Sequence, residues 1–375
     1  MLTKGIRAIL RDNLAITKSD RLLVFTDKPT ARETLTEADS MRRRSLRDFA
    51  YMVEEQARTI CREVRFLEFP ARGGHGMEPP AKLWRMAFGE RAADAMEAEC
   101  LLRPLIAKKA TLDQIERALN IAKRGAKGAA SAIIALTNYS TSHTTFRSLL
   151  TDVCGARYAS MPLFDIAMME GPMAVDYRKM APATRKVAAM VSKADSVRIK
   201  TPEGTDISFS LSTRKAHADT GLLTKPGMFG NLPAGEAYVA PLEGTASGKL
   251  VLLWAPTRKL ASPITVHIES GMAVRVEGDE PYAKQLEAAL AKRPFNRNVA
   301  ELGIGTNPLA SRPDNILESE KILGTIHIAL GDNSSFGGKV KTPFHQDFVF
   351  FHPSVTLTDK AGTKTALLDR GKLLV

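Results

Sequence analysis

Cysteine and tryptophan are scarce in this chain of 375 residues, with three and two copies. Cys61, Cys100 and Cys154 are far apart, odd in number and free of any C-x-x-C spacing. That excludes a disulfide framework and a zinc knuckle, and reduced thiols in a reducing compartment are the expectation. Long hydrophobic runs are missing as well. No stretch approaches the ~18 apolar residues of a membrane span. The opening MLTKGIRAILRDNLAITKSD mixes charges with apolar residues and lacks the apolar core and cleavage site of a signal peptide. A cytoplasmic protein without membrane contact is expected. RNA-binding aromatic signatures and regular repeats are also absent, so the net charge of +12 is a weak signal for nucleic acid. The densest basic cluster, MRRRSLRDF (41–49), has helical periodicity and runs into VEEQARTICRE, which reads as a solvated helix face carrying both signs. No nucleic-acid partner is expected.

What is present points to two domains, since single cores stop growing near ~250–300 residues. The first half alternates strand-like and helix-like segments. DRLLVFTD (20–27), REVRFLEFP (62–70) and ASAIIALTN (130–138) read as strands. A helical stretch from Ala31 to about Arg62 and TLDQIERALNIAKRGA (111–126), with Thr111 as N-cap, lie between them. This order predicts a doubly wound α/β domain over 1–187 with a largely parallel sheet. TNYSTSH (137–143) would then fall at the carboxyl ends of the strands, where such sheets place function. Beyond residue 190 the pattern becomes β-rich, interrupted by one clear helix, EPYAKQLEAALAKR (280–293). The fold expectation is thus α/β followed by α+β, with a β-rich metal-binding domain over 188–375.

The second half places imidazoles and carboxylates in strands that otherwise avoid charge. In GTIHIALG, Ile326, Ile328 and Leu330 share one face while Thr325, His327 and Ala329 share the other. In PFHQDFVFF, His345 and Asp347 are two apart and point the same way. In AELGIGTNP, Glu301 shares its face with Gly303 and Gly305, and glycine there admits a ligand or another backbone. Glu236 opens the run after PAG. Two imidazoles and several carboxylates in half-buried strands need a cation to offset desolvation and repulsion. Nitrogen and carboxylate donors suit Zn, Co, Mn or Fe.

These blocks resemble the aminopeptidase T and aminopeptidase S family of metallo-exopeptidases, the thermophilic metalloprotease family. NLPAGEAYVAP (231–241), AELGIGTNP (300–308), GTIHIALG (324–331) and FHQD (344–347) follow the family's order, and SHTTFRSLLTDVCGARYASMP (142–162) is similar to its Ser-His-Thr segment. The resemblance implies Glu236, Glu301, His327, His345 and Asp347 as ligands of two divalent ions, Zn, Co or Mn, with Glu301 or Asp347 bridging. It also implies a homodimer. One position departs: Ser334 stands where the family has a Tyr ligand, which leaves one or two ions open.

The leading expectation from this resemblance is a metal-dependent aminopeptidase acting on peptides through metal-activated water, with Glu243 in APLEG as general base. The alternative belongs to another class. His327, His345 and Asp347 have the composition of a facial triad for non-haem Fe(II), and 2,5-dihydroxypyridine dioxygenases look like distant relatives of the same fold. In that reading the substrate is a small molecule and His143 is a candidate acid/base.

Overall fold

Ala132–Leu136 is a run of five apolar residues, all buried, as required of a strand covered on both faces. It is the third of the strands in the computed structural model, which describes residues 2–375. In chain order these are β1 (Arg21–Lys28), β2 (Glu63–Pro70), β3 (Ala132–Leu136), β4 (Arg157–Ser160), β5 (Ser196–Lys200), β6 (Asp206–Ser210), β7 (His217–Asp219), β8 (Phe229–Asn231), β9 (Glu236–Val239), β10 (Ser247–Ala255), β11 (Arg258–Glu269), β12 (Met272–Glu277), β13 (Val299–Gly305), β14 (Ile326–Gly331), β15 (His345–Phe350), β16 (Ser354–Thr358), β17 (Lys364–Asp369) and β18 (Lys372–Leu373).

The chain divides into two units, Met1–Ala174 with Gly221–Pro233, and Val175–Thr220 with Ala234–Val375. The first unit holds a wholly parallel sheet in the order β2-β1-β3-β4-β8. Helices flank it, among them Glu37–Arg58 and Leu112–Gly125. The second of these starts as the sequence predicts. The Thr111 hydroxyl accepts from Gln114 N at 3.2 Å while the Gln114 side chain accepts from Thr111 N, a reciprocal capping box.

The second unit is antiparallel. One sheet runs β12-β11-β10-β6-β5-β16-β17-β18 and the other β15-β14-β13-β9-β7. The smaller sheet turns Ala237, Val239, Leu302, Ile304, Ile326, Ile328, Leu330, Phe348 and Phe350 into a core. Val197, Ile199, Ile207, Phe209, Leu250 and Val266 of the larger sheet share that core. Alternation therefore leaves the opposite face of the smaller sheet for other chemistry.

The division differs from the sequence expectation in two places. Residue 187 lies inside helix Tyr177–Lys193, which stays whole because Val187, Ala188 and Val191 bury into the second unit's core. The segment Gly221–Pro233 returns to the first unit, where β8 pairs with β4 through Tyr158, Ala159 and Ser160. Among the described residues no helix is long and apolar enough to cross a membrane.

Candidate metal centre

Register brings the chemistry of the smaller sheet onto one face. Glu301 of β13 pairs with Ala329 of β14, and Ala329 pairs with Asp347 of β15. One row along, Gly303 lies opposite His327. A further row puts Gly305 opposite Glu236 of β9, and Glu236 opposite Asp219 of β7. These residues are an even number apart along their strands, so their side chains emerge on the side opposite the apolar core.

The glycines make room, though for protein and not for a ligand. A Cβ on Gly303 would lie 1.9 Å from Cε1 of His327, and one on Gly305 would lie 2.0 Å from the Ile322 carbonyl oxygen. Gly303 is the space the His327 ring occupies.

The donors form a continuous network. His345 Nε2 is 3.5 Å from both Glu301 Oε2 and Asp347 Oδ2. His327 Nε2 is 3.4 Å from Glu301 Oε1 and 3.4 Å from Glu236 Oε2. Glu301, His345 and Asp347 each offer a ligand atom, and these atoms all lie within 4.8 Å of one another. Ligand atoms ~2.1 Å from one ion are about 3.0–3.4 Å apart, so this spacing is close to that of a coordination shell. His345 Nδ1–H donates to the Asp332 carbonyl at 2.7 Å. That bond fixes the tautomer and turns Nε2 toward the carboxylates, the usual support of a metal-binding histidine. Two buried polar atoms, Glu236 Oε2 and His327 Nδ1, have no hydrogen-bond partner. Orphaned donors and acceptors beside a converging donor set fit a cation site.

Electrostatics agree. Burial lowers the His327 pKa, but Glu301, Glu236, Glu320 and Asp347 outweigh it and raise it to about 9. Burial acts the same way on His345, and Asp347 with Glu301 holds it well above its usual value. Asp347 is held far below the usual carboxylate range because His345 and His327 overcome its desolvation. Without metal the imidazoles thus carry protons that a divalent ion would displace.

Two further residues belong to the network and were not legible as site residues. Lys321 is completely buried, and its ammonium donates to Glu236 Oε1 at 2.6 Å and to Glu320 Oε2 at 2.8 Å. Desolvation lowers its pKa, yet Glu236, Glu320 and Asp219 hold it well above the lysine norm. Burial raises the Glu236 carboxyl to about 8, with Lys321 and His327 pulling the other way. The signal was the Glu-Lys pair of SEKILG, six residues before His327, which reads as solvated charge in sequence.

The other two candidate residues lie elsewhere. Glu243, expected as general base, is taken up by a loop. Its carboxylate pairs with Arg214 and accepts from Asn333 Nδ2 at 3.1 Å and Lys339 N at 2.7 Å. Burial raises its pKa, but these partners outweigh it and keep it below the usual value. A carboxylate so satisfied is a poor proton acceptor. His143 is exposed in the turn ahead of helix Thr145–Ser148 of the first unit, whose N-cap is Thr144.

Comparison with known proteins bears on the two chemistries. The family model of NicX, 2,5-dihydroxypyridine 5,6-dioxygenase, matches residues 172–373. The chain belongs to this family. That stretch contains Glu236, Glu301, His327, His345 and Asp347. The 2,5-dihydroxypyridine 5,6-dioxygenase of Pseudomonas putida is 26% identical over 188 residues, covering 46% of this chain and 53% of that protein. The chain thus spans about half the length of the curated relative it matches. A solved structure of the P. putida dioxygenase superposes with a TM-score of 0.70 at 18% identity, covering 100% of this chain and 97% of that one. AmpT of Thermus thermophilus superposes with a TM-score of 0.61 at 17% identity, covering 100% and 99%. At such identities both show the fold alone. The aminopeptidase-like fold expected from sequence is therefore present, while the expected aminopeptidase activity is overturned by the NicX match. Hydrolase chemistry was implied by the resemblance to the peptidase family, and the candidate ligands are of types that both reactions use, so they could not separate the two.

Proposed function

We propose that this protein is a ring-cleaving dioxygenase acting on a dihydroxylated N-heteroaromatic ring of the 2,5-dihydroxypyridine kind, with one Fe(II) as its metal. The observation that carries this reading is the NicX match lying across the converging donor set of Glu301, His345 and Asp347. These three residues would hold the ion, with His327 beside Glu301. Bound Fe(II) supplies the one-electron chemistry that lets O₂ react with an electron-rich ring.

The chain's own residues set the conditions for that chemistry. The Asp332 carbonyl keeps the proton of His345 on Nδ1 and away from the metal side. Glu236 Oε2 and His327 Nε2 face each other at 3.4 Å and can hold a proton released by a ring hydroxyl. Lys321 neutralises Glu236 and Glu320 from behind, so carboxylate charge does not accumulate on this side of the site.

The test is reconstitution. Chelator-stripped protein loaded with Fe(II) should consume O₂ with 2,5-dihydroxypyridine, and His345→Ala should lose both iron and O₂ uptake. Iron-independent turnover, or full iron binding by His345→Ala, would refute the reading.

A further inference from the structure

The loop between β14 and β15 brings an aromatic side chain to the donor cluster. The Phe336 ring meets the His345 imidazole edge-on, with centroids 6.1 Å apart and planes at 90°. It meets the Tyr238 ring at 5.7 Å and 76°. Tyr238 stacks in turn on His217 at 5.2 Å and 21°. Tyr238 lies in the Gly303–His327 row of the sheet, so this group stands on the face that carries the donors. Phe336, Tyr238, His345 and Asp347 are all only partly buried, which marks the side from which the cluster can be approached.

The loop that carries Phe336 is tied down at several points. Arg214 donates to the Gly337 carbonyl and pairs with Glu243, whose carboxylate also accepts from Asn333 and Lys339. Asn333 Oδ1 accepts from Val340 N at 2.9 Å, and Gly338 leaves the space that the Asn333 side chain fills. The Asp332 carbonyl that orients His345 belongs to the same loop. One clamp thus fixes both the tautomer of a ligand and the position of an aromatic ring.

We infer that Phe336 and Tyr238 form the subsite that receives the plane of the aromatic substrate beside the donor cluster, and that Glu243 and Arg214 are positioning residues that hold this subsite in place. The inference rests on the dioxygenase reading above. An aromatic wall offers edge or offset contacts to a flat ring, and it discriminates little between ring substituents. It therefore takes planar aromatic diols as a class, while the metal side selects the hydroxyl pattern.

The experiment is anaerobic calorimetric titration of the Fe(II)-loaded full chain with 2,5-dihydroxypyridine, paired with steady-state O₂ uptake. Phe336→Ala should weaken binding and raise KM about five- to tenfold, with kcat changed far less. Phe336→Tyr should restore binding, which guards against a folding defect in the alanine variant. Glu243→Gln and Arg214→Met should each raise KM, and the double variant should be no worse than the more affected single one, as for partners in one clamp. If the wild-type chain binds and oxidises the ring while Phe336→Ala matches it in binding and KM, the subsite is wrong and the dioxygenase reading stands. If Glu243→Gln leaves KM unchanged, the clamp assignment is wrong. If the wild type neither binds nor oxidises the ring, the reading itself fails, and the subsite with it.

Discussion

Gly303→Ala is the smallest change that should reach the donor cluster. The backbone at Gly303 is ordinary strand, so alanine meets no conformational penalty there. The obstacle is the His327 ring, whose Cε1, Nε2 and Nδ1 would lie 1.9, 2.1 and 2.7 Å from the new Cβ. Ordinary carbon contacts need ~3.5 Å, so the ring must retreat by about 1.5 Å. It has little space to do so, because Glu236 and Glu301 stand 3.4 Å from Nε2. Overpacking of this kind costs about 1–3 kcal/mol, and a misplacement near 1 Å at a reacting centre costs about a hundredfold in rate. The opposite, apolar face of the sheet is untouched, so circular dichroism should show the fold retained. Titration with Fe(II) should show affinity reduced about tenfold or more, the scale of losses from disturbed metal surroundings. A Gly303→Ala protein with wild-type iron affinity and turnover would refute the placement of His327 in the site.

Other expectations follow from the same network. In metal-free protein His327 is raised to about 9 from an ordinary value of 6.5. Its stabilisation is therefore complete below pH 6.5 and lost as pH rises through 9, so the Tm of chelator-treated protein should fall across that window. Glu236, raised to about 8, contributes with the same sign. Iron affinity should move the opposite way and rise with pH over this range, because the ion takes the place of the His345 proton and is repelled by a protonated His327; an affinity independent of pH would contradict the assignment of His345. Above pH 8, where Glu236 ionises, Lys321→Met should destabilise the chain by about 3–5 kcal/mol in urea denaturation, since it strands the buried carboxylates of Glu236 and Glu320 without their cation. An unchanged midpoint would show that those carboxylates are not charged.

The strand geometry around the candidate residues was legible because side-chain alternation is a strict rule. Ile326, Ile328 and Leu330 went to the core and His327 to the other face, as their spacing required. The parallel sheet of the first unit was legible from the order of its strand-like and helix-like segments. Other features had no local signal. Phe229–Asn231 is a three-residue strand whose place in the first sheet depends on a partner about seventy residues earlier. Lys321 looks like a surface charge until its two carboxylates are seen around it. Glu243 was chosen for its residue type, whereas its role depends on Arg214 and a loop about ninety residues later. Phe336 carries no ligand atom and so gave no signal in sequence, yet its ring lies against a proposed ligand. The reaction class was the hardest feature to read, because the same imidazoles and carboxylates serve water activation and oxygen chemistry alike.

The central claim is that both atoms of O₂ enter an opened heteroaromatic ring. It is tested most directly by incubating the Fe(II)-loaded chain with 2,5-dihydroxypyridine under ¹⁸O₂ and weighing the product. The account predicts a ring-opened product carrying both labelled oxygens, formed only with iron present and lost in Asp347→Asn. A product labelled from solvent water, or no O₂ consumption by the iron-loaded protein, would contradict it.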